Sequence, residues 1–282
     1  MKKIGIIGHG YVGERMVDFF NGKYELFVYD PKLTFGDGSP TVHYDNDFAR
    51  MKQMAGKLDL AVICVPTPQN KDGSANFVAV VESISLLSDF CELMLIKSTV
   101  PPSITQSIID KEKLRVVFSP EYLGESAYTT HYWKGYPDPT NLKTHEFQIF
   151  GGRPEDTREV IGYFKSIMGP ETRYLQTDAT TAELAKYMEN AFFATKVTFC
   201  NEFFEIAKRF GVDYNELREL WLNDGRINRN HTLVFEDKRG YGGKCYPKDV
   251  AAIIHAAREV GYDPKLLKEV VESNRFFNTR SQ

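Results

Sequence analysis

The stretch KIGIIGHGYVG, residues 3–13, decides the fold. A short apolar run leads into Gly8, Gly10 and Gly13, which have the spacing G-x-G-x-x-G. In a strand–loop–helix unit, the first glycine permits the tight turn and the second lets the backbone approach a phosphate. The third lets the helix pack closely on the strand, and the helix N-terminus offers free N–H groups to negative charge. The stretch therefore predicts a dinucleotide-binding loop, the alternative being a glycine-rich turn of any α/β protein.

A carboxylate in the next predicted strand indicates which dinucleotide is bound. Asp30 ends the run YELFVYD and lies 17 residues after Gly13. A carboxylate at this place accepts hydrogen bonds from ribose hydroxyls, which favours NAD. Lys32 lies close by and could instead take the phosphate of NADP. We predict NAD as the cofactor.

The first half of the chain alternates apolar runs with helical stretches. Strands are predicted at KIGIIG, YELFVYD, DLAVICVP, LMLIKST, LRVVFSP and FQIFGG. The run at residues 61–65 is continuously apolar, as in parallel strands that are covered on both faces. Helices are predicted at residues 13–20, 77–88 and 155–168. This alternation predicts an α/β fold, with a Rossmann-type, doubly wound parallel sheet over residues 1–177.

After residue 177 the pattern becomes helical. Residues 180–211 read as one long helix, with a capping box formed by Thr180 and Glu183 and a C-terminal cap at Gly211. We predict an all-α domain over residues 178–282, with further helices at 214–222, 250–260 and 265–276. Apolar residues occur around much of the long helix, more than one neighbouring domain can cover. A homodimer formed through this helix is therefore expected.

Composition excludes several classes of protein. The 282 residues are 42 % hydrophobic and 26 % charged, with a formal net charge of −3. No block of basic residues runs along the chain, so nucleic acid is not expected as a partner. No apolar run is long enough to span a membrane. The four cysteines form no C-x-x-C pair and have no histidine at zinc-finger spacing, so neither a metal site nor a disulfide framework is expected. We expect a cytoplasmic protein.

One cysteine has unusual neighbours. In RGYGGKCYPKD, residues 239–249, Cys245 lies between Lys244 and Lys248. Positive charge favours a thiolate, and Gly242 and Gly243 leave room for a substrate. A lone cysteine is most often a small buried hydrophobe. That is our interpretation of the other three, Cys64, Cys91 and Cys200.

The cysteine segment resembles the active-site segment of the nucleotide-sugar 6-dehydrogenases, the UDP-glucose/GDP-mannose dehydrogenase family. Other stretches resemble that family in the same order along nearly the whole chain: HGYVG, VPTP with DGSAN, KSTVPP, FSPEYLGES, AELAKYMENAF and DGRI. The resemblance implies oxidation of a nucleotide sugar such as UDP-glucose by two hydride transfers to NAD. Cys245 would hold the intermediate aldehyde as a thiohemiacetal, which is oxidised to a thioester and then hydrolysed by water.

The resemblance also implies roles for individual residues. Lys186 and Asn190 are four apart on a helix, share one face and would stabilise the oxyanion. Each of them is otherwise a common exposed helix residue. Water activation and proton transfer would fall to Asp249, Thr99 and Glu121. Substrate binding would fall to Glu125, Lys248, Gly242 and, from the neighbouring subunit, Arg226. The cofactor would contact Gly8, Gly10, Tyr11, Val12, Gly13, Asp30, Pro66, Thr67 and Thr99.

Two other functions remain open at this point. A simpler alcohol or β-hydroxyacid dehydrogenase also joins a Rossmann-type domain to a helical one, but it transfers one hydride and needs no cysteine. A non-catalytic NAD-binding module is the second alternative. Family members carry a further nucleotide-binding domain, for which we see no counterpart in residues 178–282. We therefore expect weak nucleotide-sugar binding by this chain alone, and a separate chain could complete the site.

Overall fold

The structure is a computed structural model that describes residues 1–33, 39–124 and 138–279. The chain divides into two compact units. The N-terminal unit comprises Met1–Pro68 and Asn76–Lys186, and the helical unit comprises Gln69–Ala75 and Tyr187–Gln282. The boundary after Lys186 falls within a long helix, nine residues later than the predicted boundary at residue 177.

The N-terminal unit contains an eight-stranded sheet with the order β3-β2-β1-β4-β5-β6-β7-β8. All neighbouring strands are parallel except β6 and β7, which are antiparallel. The predicted α/β fold with a doubly wound, mostly parallel sheet is therefore confirmed. The strands are β1 Lys3–Ile7, β2 Glu25–Tyr29, β3 Val42–Asp45, β4 Leu60–Ile63, β5 Met94–Ile96, β6 Val116–Phe118, β7 Phe147–Gly151 and β8 Arg173–Thr177.

Helices cover both faces of this sheet, which explains the apolar runs of its central strands. On β1, Ile4 and Ile6 belong to one hydrophobic cluster and Ile7 to the other. On β4, Leu60 and Val62 likewise alternate with Ala61 and Ile63. The helices of the N-terminal unit are α1 Tyr11–Phe20, α2 Phe48–Ala55, α3 Val78–Leu87, α4 Ile104–Glu112 and α5 Pro154–Met168, with a 3₁₀ turn at Leu142–Thr144.

The helical unit has its own small core. Ala191, Ala194, Tyr241, Val250 and Val270 pack together in one buried cluster. The helices are α6 Ala179–Arg209, which begins in the N-terminal unit, and α7 Tyr214–Trp221, α8 Tyr246–Glu259 and α9 Lys265–Asn278. Helix α8 begins four residues before the predicted start, so Cys245 directly precedes its first turn.

The two ends of α6 differ in how well they were predicted. Gly211 follows the helix with φ +68°, so the predicted C-terminal cap is confirmed. The predicted capping box is wrong. The carboxylate of Asp178 caps the N-terminus, because it accepts hydrogen bonds from the Thr181 N–H at 2.8 Å and from the Thr181 hydroxyl at 2.6 Å. Glu183 is fully buried and binds a different helix.

Candidate active site

The glycine loop between β1 and α1 combines close backbone packing with open space at the start of the helix, where a phosphate could bind. Gly8 has φ +91°, and a Cβ atom there would lie 2.8 Å from the carbonyl oxygen of Cys64. A Cβ atom on Gly13 would lie 2.0 Å from the carbonyl oxygen of Gly8, whereas one on Gly10 would meet nothing within 4 Å. The first and third glycines therefore permit close packing, and the second leaves the backbone open at the start of α1. These residues fit the pyrophosphate of a dinucleotide.

Asp30 holds this loop from the end of β2. One carboxylate oxygen accepts the His9 N–H at 2.8 Å, and the other accepts the Lys32 N–H at 2.8 Å. The side chain of Asp30 is half-buried. Across the loop, the Tyr11 hydroxyl donates to the carbonyl oxygen of Gly124. A carboxylate fixed next to the glycine loop is placed to accept hydrogen bonds from a ribose.

We expect Asp30→Ala to raise the dissociation constant of NAD by about tenfold or more. Hydrogen bonds to charged groups contribute about 1.5–3 kcal/mol, and 1.4 kcal/mol corresponds to a factor of ten. Loss of the His9 contact also loosens the loop. Calorimetric titration with NAD measures the effect, with Asp110→Ala on the exposed face of α4 as control. Equal affinities for D30A and wild type would place the ribose elsewhere.

The carboxyl ends of β5 and β6 hold a buried ion pair that sequence reasoning missed. The Lys97 side chain is 0 % exposed, and its ammonium group lies 3.2 Å from Glu121 Oε2. It also donates to the Ser119 hydroxyl at 3.2 Å and to the Pro120 carbonyl oxygen at 3.1 Å. The sequence signal was a lysine directly after an apolar strand. Since buried lysines are rare unless paired, Lys97 identifies this strand end as a polar site.

Glu121 receives further donors from its own loop. Its Oε1 atom accepts the N–H groups of Tyr122 and Leu123, each at 2.8 Å. Lys186 lies over the ring of Tyr122, with its Nζ atom 5.0 Å from the ring centroid. The structure therefore brings the predicted residues Glu121 and Lys186 to the same loop.

Glu183 connects α6 to the loop that carries Thr99. Its carboxylate accepts the N–H groups of Ser103 at 2.7 Å and Thr105 at 2.9 Å, at the start of α4. Ser103 has φ +74°, and its side chain makes no capping hydrogen bond, so Glu183 caps α4 from another helix. The segment from β5 to α4, which includes Thr99, is thereby tied to the first turns of α6, which carry Lys186. Burial raises the pKa of the Glu183 carboxyl to about 7.

The raised pKa of Glu183 predicts a pH-dependent stability. The folded chain holds this proton up to about pH 7, whereas the ordinary value is 4.5. The stabilisation is therefore complete below 4.5 and is lost as the pH rises through about 7. Wild type should exceed E183Q in unfolding free energy by more at about pH 5 than at about pH 8, in urea titrations. A difference that is constant with pH would show that the carboxyl titrates normally.

In the helical unit, Cys245 differs from the other cysteines. It is exposed and lies directly before α8, whereas Cys91 and Cys200 are buried and Cys64 is half-buried against the core. None of the four forms a disulfide. Burial raises the pKa of the Cys91 thiol to about 12 and raises those of Cys64 and Cys200 as well. The interpretation of these three as small hydrophobic residues of the interior is therefore supported, and Cys245 is the accessible one.

A buried polar cluster stands one helical turn beyond Cys245. The Asp249 N–H donates to the Cys245 carbonyl oxygen at 2.9 Å. One carboxylate oxygen of Asp249 accepts the Asn190 amide at 2.6 Å, and the other accepts the Lys248 ammonium at 2.5 Å. Asp249 is 1 % exposed and Asn190 is 3 % exposed. Four predicted site residues are thus brought together. Asn190 is not the exposed helix residue that its type alone suggests.

The segment after Cys245 is also contacted by His231, which sequence reasoning did not single out. Its Nε2 atom lies 2.7 Å from the Tyr246 hydroxyl, and its ring stacks on Phe193 with centroids 4.2 Å apart. Burial lowers the pKa of His231 to about 4, so the ring is neutral near neutral pH. A neutral histidine here fixes Tyr246 without adding charge beside the thiol.

The remaining predicted residues are less informative. Gly242 is exposed, and a Cβ atom there would meet nothing within 4 Å. Arg226 has an 88 % exposed side chain and pairs with Asp224 at 2.5 Å, two residues away. Pro66 is exposed and Thr67 is buried after β4. Glu125 lies outside the described residues. Among the helices that the structure describes, none is long and apolar enough to cross a bilayer.

Comparison with known proteins identifies a cofactor-binding domain in the N-terminal unit and relatives of the whole chain. Residues 42–134 match the NAD binding domain of the UDP-glucose/GDP-mannose dehydrogenase family, which confirms NAD as the predicted cofactor. A UDP-glucose 6-dehydrogenase of Rickettsia bellii is 32 % identical over 225 residues, which cover 76 % of this chain and 48 % of the relative. One from Rickettsia typhi is 29 % identical over 241 residues, covering 82 % and 51 %. The chain thus spans about half the length of these relatives.

A solved structure supports the fold, and a second family model covers the helices. A UDP-glucose dehydrogenase from the archaeon Pyrobaculum islandicum superposes with a TM-score of 0.79 at 24 % identity, over 98 % of this chain and 68 % of that one. Residues 180–276 match the central domain of the same family that residues 42–134 match. Because the two matches together span more than half of the sequence, the chain belongs to the UDP-glucose/GDP-mannose dehydrogenase family.

Proposed function

We propose that this chain carries the cofactor-binding and catalytic parts of an NAD-dependent nucleotide-sugar 6-dehydrogenase that oxidises UDP-glucose to UDP-glucuronate. One observation carries the proposal: an exposed cysteine at the start of α8, one turn before the buried cluster of Asn190, Lys248 and Asp249. A dehydrogenase that transfers a single hydride has no use for such a thiol. The names of the relatives support the substrate class.

The proposed chemistry needs a covalent intermediate on Cys245. The first oxidation converts the primary alcohol to an aldehyde, and the thiolate then adds to the aldehyde carbon to form a C–S bond. Loss of a second hydride from the thiohemiacetal gives a thioester. Water attacks its carbonyl carbon, the C–S bond breaks, and the acid and the thiol are released. In total, one alcohol, one water and two NAD give one carboxylate, two NADH and three protons. Bound NAD supplies the two hydride acceptors.

The polar residues supply the other roles. Lys186 and Asn190, four residues apart on α6, would donate to the oxyanion of the tetrahedral intermediates. The contact with Asp249 orients the Asn190 amide for this task. Thr99 and Glu121 would position the water and accept protons. The Glu121 carboxylate accepts two backbone N–H groups and lies 3.2 Å from the Lys97 ammonium group. We assign substrate contacts to Glu125, Lys248, Gly242 and Arg226.

The number of NADH molecules formed per sugar tests this function. With UDP-glucose as the limiting substrate, we expect two NADH and one UDP-glucuronate per molecule consumed. One NADH per substrate would indicate the single-step dehydrogenase. No turnover of any nucleotide sugar, despite NAD binding and with the nucleotide pocket completed, would indicate a non-catalytic module. Since the chain spans about half of its relatives, we propose that residues outside these 282, or a separate chain, complete the nucleotide pocket.

We also propose a homodimer formed through α6. Exposed apolar side chains on α6 and directly after its end form a stripe that the described part of the helical unit leaves uncovered: Met188, Phe192, Phe199, Phe203 and Phe210. A second copy of the helix could bury this stripe, and exposed Arg226 could then reach the partner's site. Light scattering measures the oligomeric state. We also propose a cytoplasmic location, because an exposed reactive thiol such as Cys245 stays reduced in a reducing compartment.

A further inference from the structure

We infer that Asn274 is a positioning residue for Cys245 and acts by clamping the loop that precedes the cysteine. This inference rests on the proposed catalytic role of Cys245. Asn274 lies on α9 and is 6 % exposed. Its Oδ1 atom accepts the Tyr241 N–H at 2.7 Å, and its Nδ2 atom donates to the Tyr241 carbonyl oxygen at 3.0 Å. One side chain thus satisfies both backbone groups of Tyr241, as a neighbouring β-strand would.

A second asparagine holds the same loop from α6. The Oδ1 atom of Asn201 accepts the Gly240 N–H at 3.1 Å and the Arg239 Nε–H at 2.7 Å. Arg239 is buried, and it also donates to the Asn201 carbonyl oxygen at 3.1 Å and to Glu205 at 2.8 Å. The backbone of residues 239–241 is therefore fixed from two helices.

The clamp explains the first glycine of the GYGG segment. Gly240 has φ +72°, and a Cβ atom there would lie 2.4 Å from Asn274 Oδ1 and 2.6 Å from Asn278 Oδ1. Only glycine permits both the left-handed backbone and the close approach of Asn274. Gly240 and Asn274 thus both belong to the clamp, although they are 34 residues apart in the sequence.

Cys245 lies between two fixed points. Upstream is the clamp at residues 239–241, and downstream is Asp249, held by Asn190 and Lys248. Between the clamp and the cysteine, Gly242, Gly243 and Lys244 are exposed. The contacts of Asp249 fix the first turn of α8, and the clamp at residues 239–241 limits the path of the backbone that leads into this helix. The clamp therefore restricts the position of Cys245 at the N-terminus of α8, where the helix dipole favours a thiolate.

Thiol alkylation tests this inference without requiring turnover. Under native conditions the iodoacetamide reaction reports on Cys245, because the other thiols are buried or half-buried; C245S gives the background rate. We expect Asn274→Ala to lower the rate constant at about pH 7 by roughly fivefold and to move the pH profile of the reaction upward, because less thiolate is present. Glu272→Ala, on the exposed face of α9, should leave the rate unchanged and serves as control.

Further variants keep the test decisive. Asn274→Asp retains the acceptor and the shape but loses the donor, so it should lower the alkylation rate less than N274A does. It serves as the test variant if N274A does not fold. Asn201→Ala should reproduce the effect from the other helix. If N274A and N274D lower the melting temperature while the rate and pH profile of alkylation stay at wild-type values, or the rate rises, Asn274 has only a structural role. Failure of the proposed reaction would appear separately, in the NADH stoichiometry.

Discussion

Replacement of Cys245 by serine should abolish the conversion of UDP-glucose to the acid while leaving NAD affinity unchanged. A serine hydroxyl is almost fully protonated near neutral pH and adds poorly to the aldehyde, so the thiohemiacetal and the thioester do not form. We expect the rate of acid formation to fall by about a thousandfold or more, as when other nucleophiles are removed. The measurements are acid production by chromatography and calorimetric titration with NAD.

A matched control separates loss of the nucleophile from loss of structure. Cys91 is buried, its sulfur donates to the Leu93 carbonyl oxygen at 3.2 Å, and a serine hydroxyl can make the same contact. Cys91→Ser should therefore retain the wild-type rate. If C245S formed acid as fast as wild type, Cys245 would have no part in the chemistry and only a structural role.

The sheet could be predicted from the sequence because its central strands are buried on both faces. Each such strand must be apolar at nearly every position, which leaves a visible run. The edge strands β3 and β8 were not predicted, because they are partly exposed and have no continuous apolar run. β8 has the sequence RYLQT with no buried residue, and β3 has the sequence VHYD with two half-buried positions. A half-exposed strand this short carries no signal that distinguishes it from a loop.

The sequence singles out candidate site residues by their types, but it does not predict their partners. Asp249 and Asn190 meet across 59 residues of chain, and Glu183 reaches an N-terminus that lies 78 residues earlier. Such hydrogen bonds depend on how the elements pack, which local spacing does not encode. The mistaken capping box illustrates the point, because Glu183 has the right spacing but the tertiary fold uses its carboxylate elsewhere. Lys97 was missed for the same reason: its partners follow the neighbouring strand.

The ion pair of Lys97 and Glu121 should be the most sensitive polar contact of the N-terminal unit. Lys97→Met keeps the length of the side chain but removes its charge. The carboxylate of Glu121 is 10 % exposed and would then face a thioether where the ammonium group stands at 3.2 Å. Removing one partner of a buried pair leaves an uncompensated charge and costs about 3–5 kcal/mol. We expect a loss of this size in the free energy of unfolding, measured by urea titration.

A double variant tests whether the unpaired charge causes the loss. Lys97→Met with Glu121→Gln removes both charges, and a neutral pair of similar volume is often no less stable than a buried ion pair. The double variant should therefore regain much of the stability that K97M loses. Lys111→Met, on the exposed last turn of α4, is the control and should change stability little. If the double variant were as unstable as K97M, the lysine would act through its contacts with Ser119 and Pro120, and the ion pair would contribute little.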